Sequence, residues 1–313
     1  MAYAPRYVPE ALKEDVTSLF RLHDLALGTA PTELVGHGTG LRAATVIATV
    51  AGCTGDLGFA SPLPIMMQLG LNNAHVSTPH GYAHALQSRI GSYGPQKHIV
   101  STTPFFRGGH FGLDTRHMVP PFSPHGRGED IVFGVLLFHM YGPGGICHIP
   151  AQVEHLPKSA TAFSPGAVSS ILHRFNDIVV LLLNSIDEVF DDMSPDEILV
   201  RIGRHIERIA RYPISRYRAF VKDRFDYATD IFEQILSSIR ARLPGELKVF
   251  DADADQLLHA RRMFARNRNL GVASDLPGSD DSDAQERHLR TMEQFGTMLR
   301  LWPDLWRASM PSN

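Results

Sequence analysis

The pattern of apolar residues changes at about Phe163, and this change limits the fold more than any other feature of the sequence. Before it, glycine and proline are frequent, and short β-branched segments alternate with helix-like ones. After it, apolar residues recur at helical spacing, as in the stripe from Val168 to Val189. The sequence therefore predicts an α/β region over residues 1–160, a partial sheet with flanking helices, followed by an all-helical domain over residues 161–313.

Local patterns predict the elements of each region. Asp114 is a candidate cap for a short helix, and Ser164 with Pro165 suits the start of the first long helix. In the α/β region we expect helices over 10–27, 61–71, 78–91, Leu113–Met118 and Asp130–Tyr141, strands over 43–52, 98–103 and Ile146–Val153, and a tight turn over Cys53–Gly58. In the helical region we expect further helices over about 195–211, 214–242, 255–267 and 284–309, with a flexible acidic linker over 271–283.

Composition excludes several classes of function. A formal net charge of −3 over 313 residues gives no reason to expect nucleic acid or an anionic membrane as a partner. Two cysteines, Cys53 and Cys147, are too few for a disulfide framework, which favours a reducing, cytoplasmic location. The N-terminal residues lack the apolar segment of a secretory signal, and the longest apolar run, Ile178–Leu183, is too short to cross a bilayer.

Residues that could carry chemistry concentrate between Ser101 and Pro157. Gly108 and Gly109 lie between apolar residues, which is typical of a close backbone approach where a substrate could lie, or of an ordinary turn. Farther on, the pair Glu129-Asp130 opens an apolar helix-like run beside Arg127. Carboxylates at a helix N-terminus have a structural explanation, because they complement the helix dipole. Alternatively, such a carboxylate could accept the proton of an attacking hydroxyl.

Histidines supply the candidate metal ligands. His155 ends a predicted strand, where catalytic groups gather in α/β sheets, although a lone histidine is more often structural. A metal-dependent hydrolase is a further hypothesis, in which the ligands would come from His75, His80, His84 and His110. His80 and His84 have i, i+4 spacing but lack the intervening glutamate of the zincin motif, which argues against this hypothesis.

In order and spacing, these elements resemble the acceptor-side half of GT-A-type glycosyltransferases, especially the family 2-like enzymes. The family's Phe-x-Gly-Gly strand is matched by Phe106–Gly109, its Glu-Asp pair by Glu129-Asp130, and its later histidine by His155. A bacterial subgroup with a Gly-Asp-x-Gly turn and a terminal Trp-Pro is similar at Gly55–Gly58 and Trp302-Pro303. The resemblance covers roughly residues 15–307.

The resemblance implies a transferase that moves a sugar from a nucleotide-sugar donor to a hydroxyl acceptor. Asp130 would be the catalytic base and Glu129 would orient the acceptor. Substrate-binding positions would include Arg127, Gly108, Gly109 and Asp56, and His155 would bind a divalent metal, Mn²⁺ or Mg²⁺, on the donor diphosphate.

The sequence departs from the family at its nucleotide-binding half. No Asp-x-Asp metal motif precedes the Glu-Asp pair, and the acid clusters at Asp251–Asp255 and Asp280–Asp283 fall in predicted loops of the helical region. Two hypotheses follow. The chain is a glycosyltransferase, or the acceptor-binding part of a split one whose donor-binding half is a separate chain. Alternatively, it is a non-catalytic, glycosyltransferase-like subunit that binds a partner or a sugar without transferring it, or that has a regulatory role.

Overall fold

The computed structural model describes residues 16–35, 41–59, 61–67, 78–156, 162–163, 167, 171, 173–186, 190, 192–243, 248–267, 269–276 and 283–310. It confirms an α/β region with a mixed sheet, followed by a helical region. The strands are β1 (Ala48–Asp56), β2 (Ile90–Tyr93), β3 (Ile99–Val100), β4 (Phe111–Leu113) and β5 (Ile146–His155). The helices are α1 (Val16–Ala26), α2 (Pro31–Val35), α3 (Leu63–Met67), α4 (Pro79–Gln87), α5 (Glu129–Tyr141), α6 (Phe175–Leu183), α7 (Pro195–Ala210), α8 (Ile214–Arg240), α9 (Lys248–Phe264) and α10 (Ala284–Ser309).

The sheet has the strand order β2-β1-β5-β3, and its central pair, β1 and β5, is parallel. The other pairings are antiparallel, with β4 against the first half of β1 and β2 against the second half. The register of the central pair shifts between Val50↔His148 and Gly52↔Gln152, so β5 has two extra residues around Pro150. Proline has no N–H to donate to a ladder, which suits such an irregularity.

The tight turn that we predict at Cys53–Gly58 is wrong for its first four residues. Cys53–Asp56 continue β1, and they pair with β2 on one side and with β5 on the other. The pairing accommodates glycine specifically at Gly55, which has φ +87°, because a Cβ there would lie 2.4 Å from the carbonyl oxygen of His155. Turn-like residues therefore form a strand because two neighbours satisfy their backbone groups.

Other predicted boundaries in the α/β region also need correction. The predicted helix over 78–91 ends at Gln87, and its last residues begin β2 instead. Leu113 is the last residue of β4, and residues 114–118 form a turn instead of a helix, in which Asp114 accepts two hydrogen bonds from the guanidinium of Arg116. The motif Phe106–Gly109 is not a strand, and the strand nearest to it is β4.

Helix α5 joins the two regions, because its opposite faces enter different parts of the core. Phe133 and Leu137 pack with the sheet, together with Ile47 and Phe106. Val132, Leu136 and Met140 pack instead with α6, α7, α8 and α10. A helix that is buried on opposite faces takes its position from both neighbours. The start of α5 is therefore set jointly by the sheet and the helical region.

Two predictions for the helical region are wrong in part. Helix α6 begins at Phe175, not at Ser164, and the proposed cap itself lies outside the described residues. The acid cluster Asp251–Asp255 lies inside α9 and not in a loop. There Asp251 and Asp255 pair with Arg240, and Asp253 accepts a hydrogen bond from Tyr82. The second cluster, Asp280–Asp283, is described only at Asp283, the residue before α10.

The described part of the predicted flexible linker is packed and hydrogen-bonded. Gly271, Val272 and Ala273 are buried. The Gly271 N–H donates to His173 Nε2 at 2.8 Å, and the Ala273 N–H donates to His288 Nδ1 at 3.3 Å. These bonds hold residues 271–276 against the helices.

Helix α10 also reaches back to the α/β region. The indole N–H of Trp302 donates to the carbonyl of Val119 at 2.7 Å, in the Val-Pro-Pro segment that precedes α5. The hydroxyl of Tyr141 donates to the neighbouring carbonyl of Met118 at 2.5 Å.

Within the ranges that the structure describes, no helix combines the length and the apolar character that a membrane span requires.

Candidate active site

Most of the predicted site residues lie where β1 and β5 end and α5 begins. Asp56 and His155 are the last residues of the two parallel strands. Glu129 and Asp130 are the first two residues of α5. In open α/β sheets, ligands bind outside the carboxyl ends of parallel strands. The structure therefore brings residues up to 99 positions apart in the sequence to one end of the sheet.

The carboxylate of Asp130 is held by two backbone N–H groups. Its Oδ2 accepts from Gly108 at 3.0 Å and its Oδ1 from Ile131 at 2.9 Å. A Cβ on residue 108 would lie 3.1 Å from the Cβ of Asp130, so glycine permits this close approach. Gly109 is exposed, and a Cβ there would contact nothing within 4 Å. Of the two glycines, only Gly108 is thus explained by close packing.

Glu129 and Arg127 flank Asp130 at the surface. Both side chains are exposed, whereas Asp130 is half-buried. Arg127 reaches the carbonyl of Gly58, in the turn after β1, at 3.5 Å. The arginine therefore links the loop before α5 to the end of the sheet.

Asp56 stabilises its own turn. The side chain is 1% exposed, and Oδ1 accepts the Gly58 N–H at 2.7 Å and faces the Arg89 guanidinium at 3.1 Å. Because the carboxylate is buried and bonded, it is better placed to position the turn than to contact a substrate directly.

His155 is fixed by the backbone of Asp56. Its Nδ1 lies 2.9 Å from the Asp56 carbonyl oxygen, which can only accept, so Nδ1 carries the proton. The lone pair is then on Nε2, and the side chain is exposed. Metal-binding histidines are commonly oriented by such a bond from the other ring nitrogen.

His155 offers the predicted metal one protein ligand. Among the residues that the structure describes, no group of three or more His, Cys, Asp or Glu side chains is placed to hold an ion. The other ligands would have to come from the donor diphosphate or from another segment. Manganese and magnesium both accept ligation by substrate phosphates.

Of the four histidines in the hydrolase hypothesis, the three that the structure describes belong to no metal-binding group. His80 and His84 are exposed on α4, and His75 lies outside the described residues. His110 bonds instead to His23, with Nδ1 and Nε2 3.0 Å apart, and His23 Nδ1 lies 2.7 Å from the hydroxyl of Thr49. Burial, with a contribution from His110, lowers the pKa of His23 to about 4. These contacts indicate that His23 is neutral and packs against the ring of His110.

Arg107 is a site residue that the sequence analysis missed. Its guanidinium lies over the rings of Phe59 and Tyr93, at 4.2 and 5.5 Å from their centroids, and donates to the Leu57 carbonyl at 3.1 Å. Burial raises the pKa of Tyr93 to about 12, although Arg107 opposes the shift. Only its position next to Gly108-Gly109 could have drawn attention to this arginine.

Three further polar residues, which no sequence motif indicated, surround the loop before α5. Asn176 donates to the carbonyls of His125 and Arg127, and Asp275 accepts the N–H of Phe175 at 2.8 Å. Arg174 forms a two-bond pair with Asp177, both bonds at 2.9 Å. That pair raises the pKa of Arg174, with smaller contributions from Asp275 and Asp130. Carboxylates therefore face Arg174 from three elements.

Two grooves lie along α7, and neither is lined by a predicted site residue. One is bordered by Ile186, Phe190 and the arginines of α7, and the other by α7 and α10. No family model, curated protein or solved structure matches the chain.

Proposed function

We propose that the chain forms the acceptor side and catalytic centre of a nucleotide-sugar-dependent glycosyltransferase. The observation that carries the proposal is the convergence of Asp56, Gly108, Arg127, Asp130 and His155 at one end of the sheet. The resemblance to GT-A-type enzymes rests on these same residues. Motifs that are individually weak gain support when they meet at a position where α/β sheets bind ligands.

Asp130 is the catalytic base in this proposal. The acceptor hydroxyl oxygen forms a bond to the anomeric carbon of the donor sugar, and the bond from that carbon to the phosphate oxygen breaks. The hydroxyl proton passes to Asp130, and the nucleoside diphosphate leaves. The N–H groups of Gly108 and Ile131 fix the orientation of the carboxylate, and one side of each oxygen remains able to accept.

The residues around Asp130 bind and orient the substrates. Glu129, exposed beside Asp130, accepts hydrogen bonds from other hydroxyls of the acceptor. Arg127 and the backbone at Gly108 and Gly109 complete the substrate surface. A divalent metal, bound in part by Nε2 of His155, would neutralise charge on the departing diphosphate.

The donor-binding half, with its Asp-x-Asp motif, would be supplied by a separate chain. The two cysteines are both free, which supports a reducing, cytoplasmic location. We place the transfer reaction there as part of the same proposal.

A non-catalytic binding or regulatory subunit is the second candidate. The observation in its favour is that both oxygens of Asp130 already accept backbone N–H groups, as a purely structural helix cap would. On this alternative, sugar binding persists when Asp130 is replaced, and no transfer occurs.

The test combines calorimetry with a transfer assay. UDP- and GDP-sugars are titrated with Mn²⁺ into the chain alone, and into the chain with any protein that copurifies with it and carries an Asp-x-Asp motif. Transfer that is lost in Asp130→Asn and kept in Asp230→Asn, an exposed acid on α8, supports the catalytic proposal. Transfer that survives in Asp130→Asn removes Asp130 as the base, and absence of donor binding in every combination refutes the transferase.

A further inference from the structure

Two glycines give the loop before Asp130 an unusual backbone conformation. Gly126 and Gly128 adopt left-handed backbone conformations, with φ of +64° and +90°. Gly128 is the N-cap of α5 and has no side chain to bond to the free N–H groups of the first turn. Glycine is the residue with the widest range of backbone conformations, so such a loop needs restraint from elsewhere.

Asn176 supplies that restraint. It is the second residue of α6 and is 1% exposed. Its amide nitrogen donates one N–H to the His125 carbonyl at 2.6 Å and the other to the Arg127 carbonyl at 3.2 Å. One side chain thus binds carbonyls on both sides of Gly126.

An amide suits these two bonds. A single nitrogen must donate twice, which a carboxylate cannot do and which a hydroxyl can do only once.

Asp275 lies against the other side of the loop. Asp275 Oδ1 accepts the N–H of Phe175, and Oδ2 lies so close to Gly126 that a Cβ there would be 2.2 Å away. These contacts come from the N-terminal turn of α6 and from Asp275, an exposed residue of the 271–276 segment. The helical region therefore contacts the loop that leads into the candidate base.

We propose that Asn176 is a positioning residue for Asp130. The inference rests on the proposed function for its catalytic meaning, but the restraint itself is independent of any reaction. Asn176 fixes the carbonyl of Arg127, which lies three residues before Asp130 and next to the N-cap. The carboxylate is then held where the N–H groups of Gly108 and Ile131 can reach it.

The first measurement is native-state hydrogen exchange of individual amides by NMR. In Asn176→Ala, exchange of the Gly108 and Ile131 amides becomes at least tenfold faster, whereas amides in the middle of α7 keep their wild-type rates. Asn184→Ala, an exposed asparagine at the other end of α6, leaves all of these rates unchanged. If Asn176→Ala does not fold, Asn176→Ser, which is small and can donate at most one of the two bonds, takes its place.

Two exchange results overturn the inference. One is an unchanged rate at Gly108 and Ile131. The other is equal acceleration there and in α7, because a general loss of stability opens the whole molecule and a positioning role does not.

The second measurement is steady-state transfer. We expect Asn176→Ala to lower kcat by 10- to 100-fold and to change the KM for the acceptor by less than twofold, since misplacement of a catalytic group affects the chemical step. An unchanged kcat refutes the positioning role. If the wild-type chain shows no transfer under any condition, the proposed function fails while the exchange result still decides the role of Asn176.

Discussion

Acidification from pH 7 to pH 5 should destabilise this protein through two buried histidines. His288 accepts the Ala273 N–H at Nδ1, so its proton is on Nε2, which donates to the Tyr217 hydroxyl. Tyr217 in turn donates to the Gly271 carbonyl at 3.0 Å. His173 Nε2 accepts the Gly271 N–H. Each ring is therefore neutral in the folded state, and protonation would break a bond that holds the 271–276 segment.

The loss of stability at low pH follows from the pKa values of the two histidines. Burial lowers the pKa of His288 from 6.5 to about 3 and that of His173 to about 4, and His173 contributes to the shift of His288. Below about pH 6.5 the unfolded chain binds protons that the folded chain does not, so stability is complete above this pH and falls as the pH is lowered. Between pH 7 and pH 5 each histidine accounts for a loss of about 2 kcal/mol.

Together, the two histidines should lower the free energy of unfolding by roughly 4 kcal/mol between pH 7 and pH 5. This is a large part of a typical folding free energy of about 5–15 kcal/mol. Because the two rings interact electrostatically, the contributions are not strictly additive. The contribution of one ring is therefore measured by comparing how the free energy of unfolding changes with pH in wild type and in a variant that lacks that ring.

Urea denaturation at pH 5, 6 and 7, followed by circular dichroism, provides that measure. In His288→Gln, which keeps one acceptor and one donor, the loss of free energy of unfolding between pH 7 and pH 5 should be about 2 kcal/mol smaller than in wild type. His259→Gln, an exposed control on α9, should show the wild-type loss. An identical pH dependence in His288→Gln and wild type, or an NMR titration of His288 near pH 6.5, would refute the reasoning.

Two further predictions concern the contacts that α5 and α10 make with the α/β region. Gly134→Ala in α5 should lower the free energy of unfolding by about 2 kcal/mol, because the new methyl group would lie 2.5 Å from the Cβ of Phe106, and this clash exceeds the ~1 kcal/mol gain in helix propensity. Gly109→Ala, which meets nothing within 4 Å, should change it by less than about 0.5 kcal/mol, and urea denaturation that ranks the two variants equally would contradict the packing argument. Trp302→Phe should cost about 1–2 kcal/mol, since the Val119 carbonyl loses its donor. Urea denaturation also tests this variant, and wild-type stability would show that the bond between α10 and the α/β region contributes nothing.

Helices with strong local signals were predictable from the sequence. Helix α5 begins within one residue of its predicted start, because an acid pair precedes a long apolar run. Helices α7 and α8 match their predicted ranges closely, and a capping box at Ser194 and Glu197 marks the start of α7. In these segments the information lies within one or two helical turns, so a local pattern is sufficient.

Segments whose partners are distant in the sequence were predicted wrongly. Cys53–Asp56 has the composition of a turn and becomes strand because β2 and β5 pair with it. The 271–276 segment has the composition of a linker, yet its first three residues are buried where His173 and His288 bond to their backbone. Local propensity is a weak signal, and tertiary hydrogen bonds of this kind override it.

The same division holds for the candidate site. The sequence by itself determined that a carboxylate opens an apolar helix after a glycine-rich loop, that a histidine ends the last strand, and that helices follow. Only the tertiary structure decided that Gly108 reaches Asp130, that Asp56 orients His155, and that Asn176 restrains the loop before α5. These contacts join residues 22 to 99 positions apart, and hydrogen bonds over such separations leave no periodic trace in the chain.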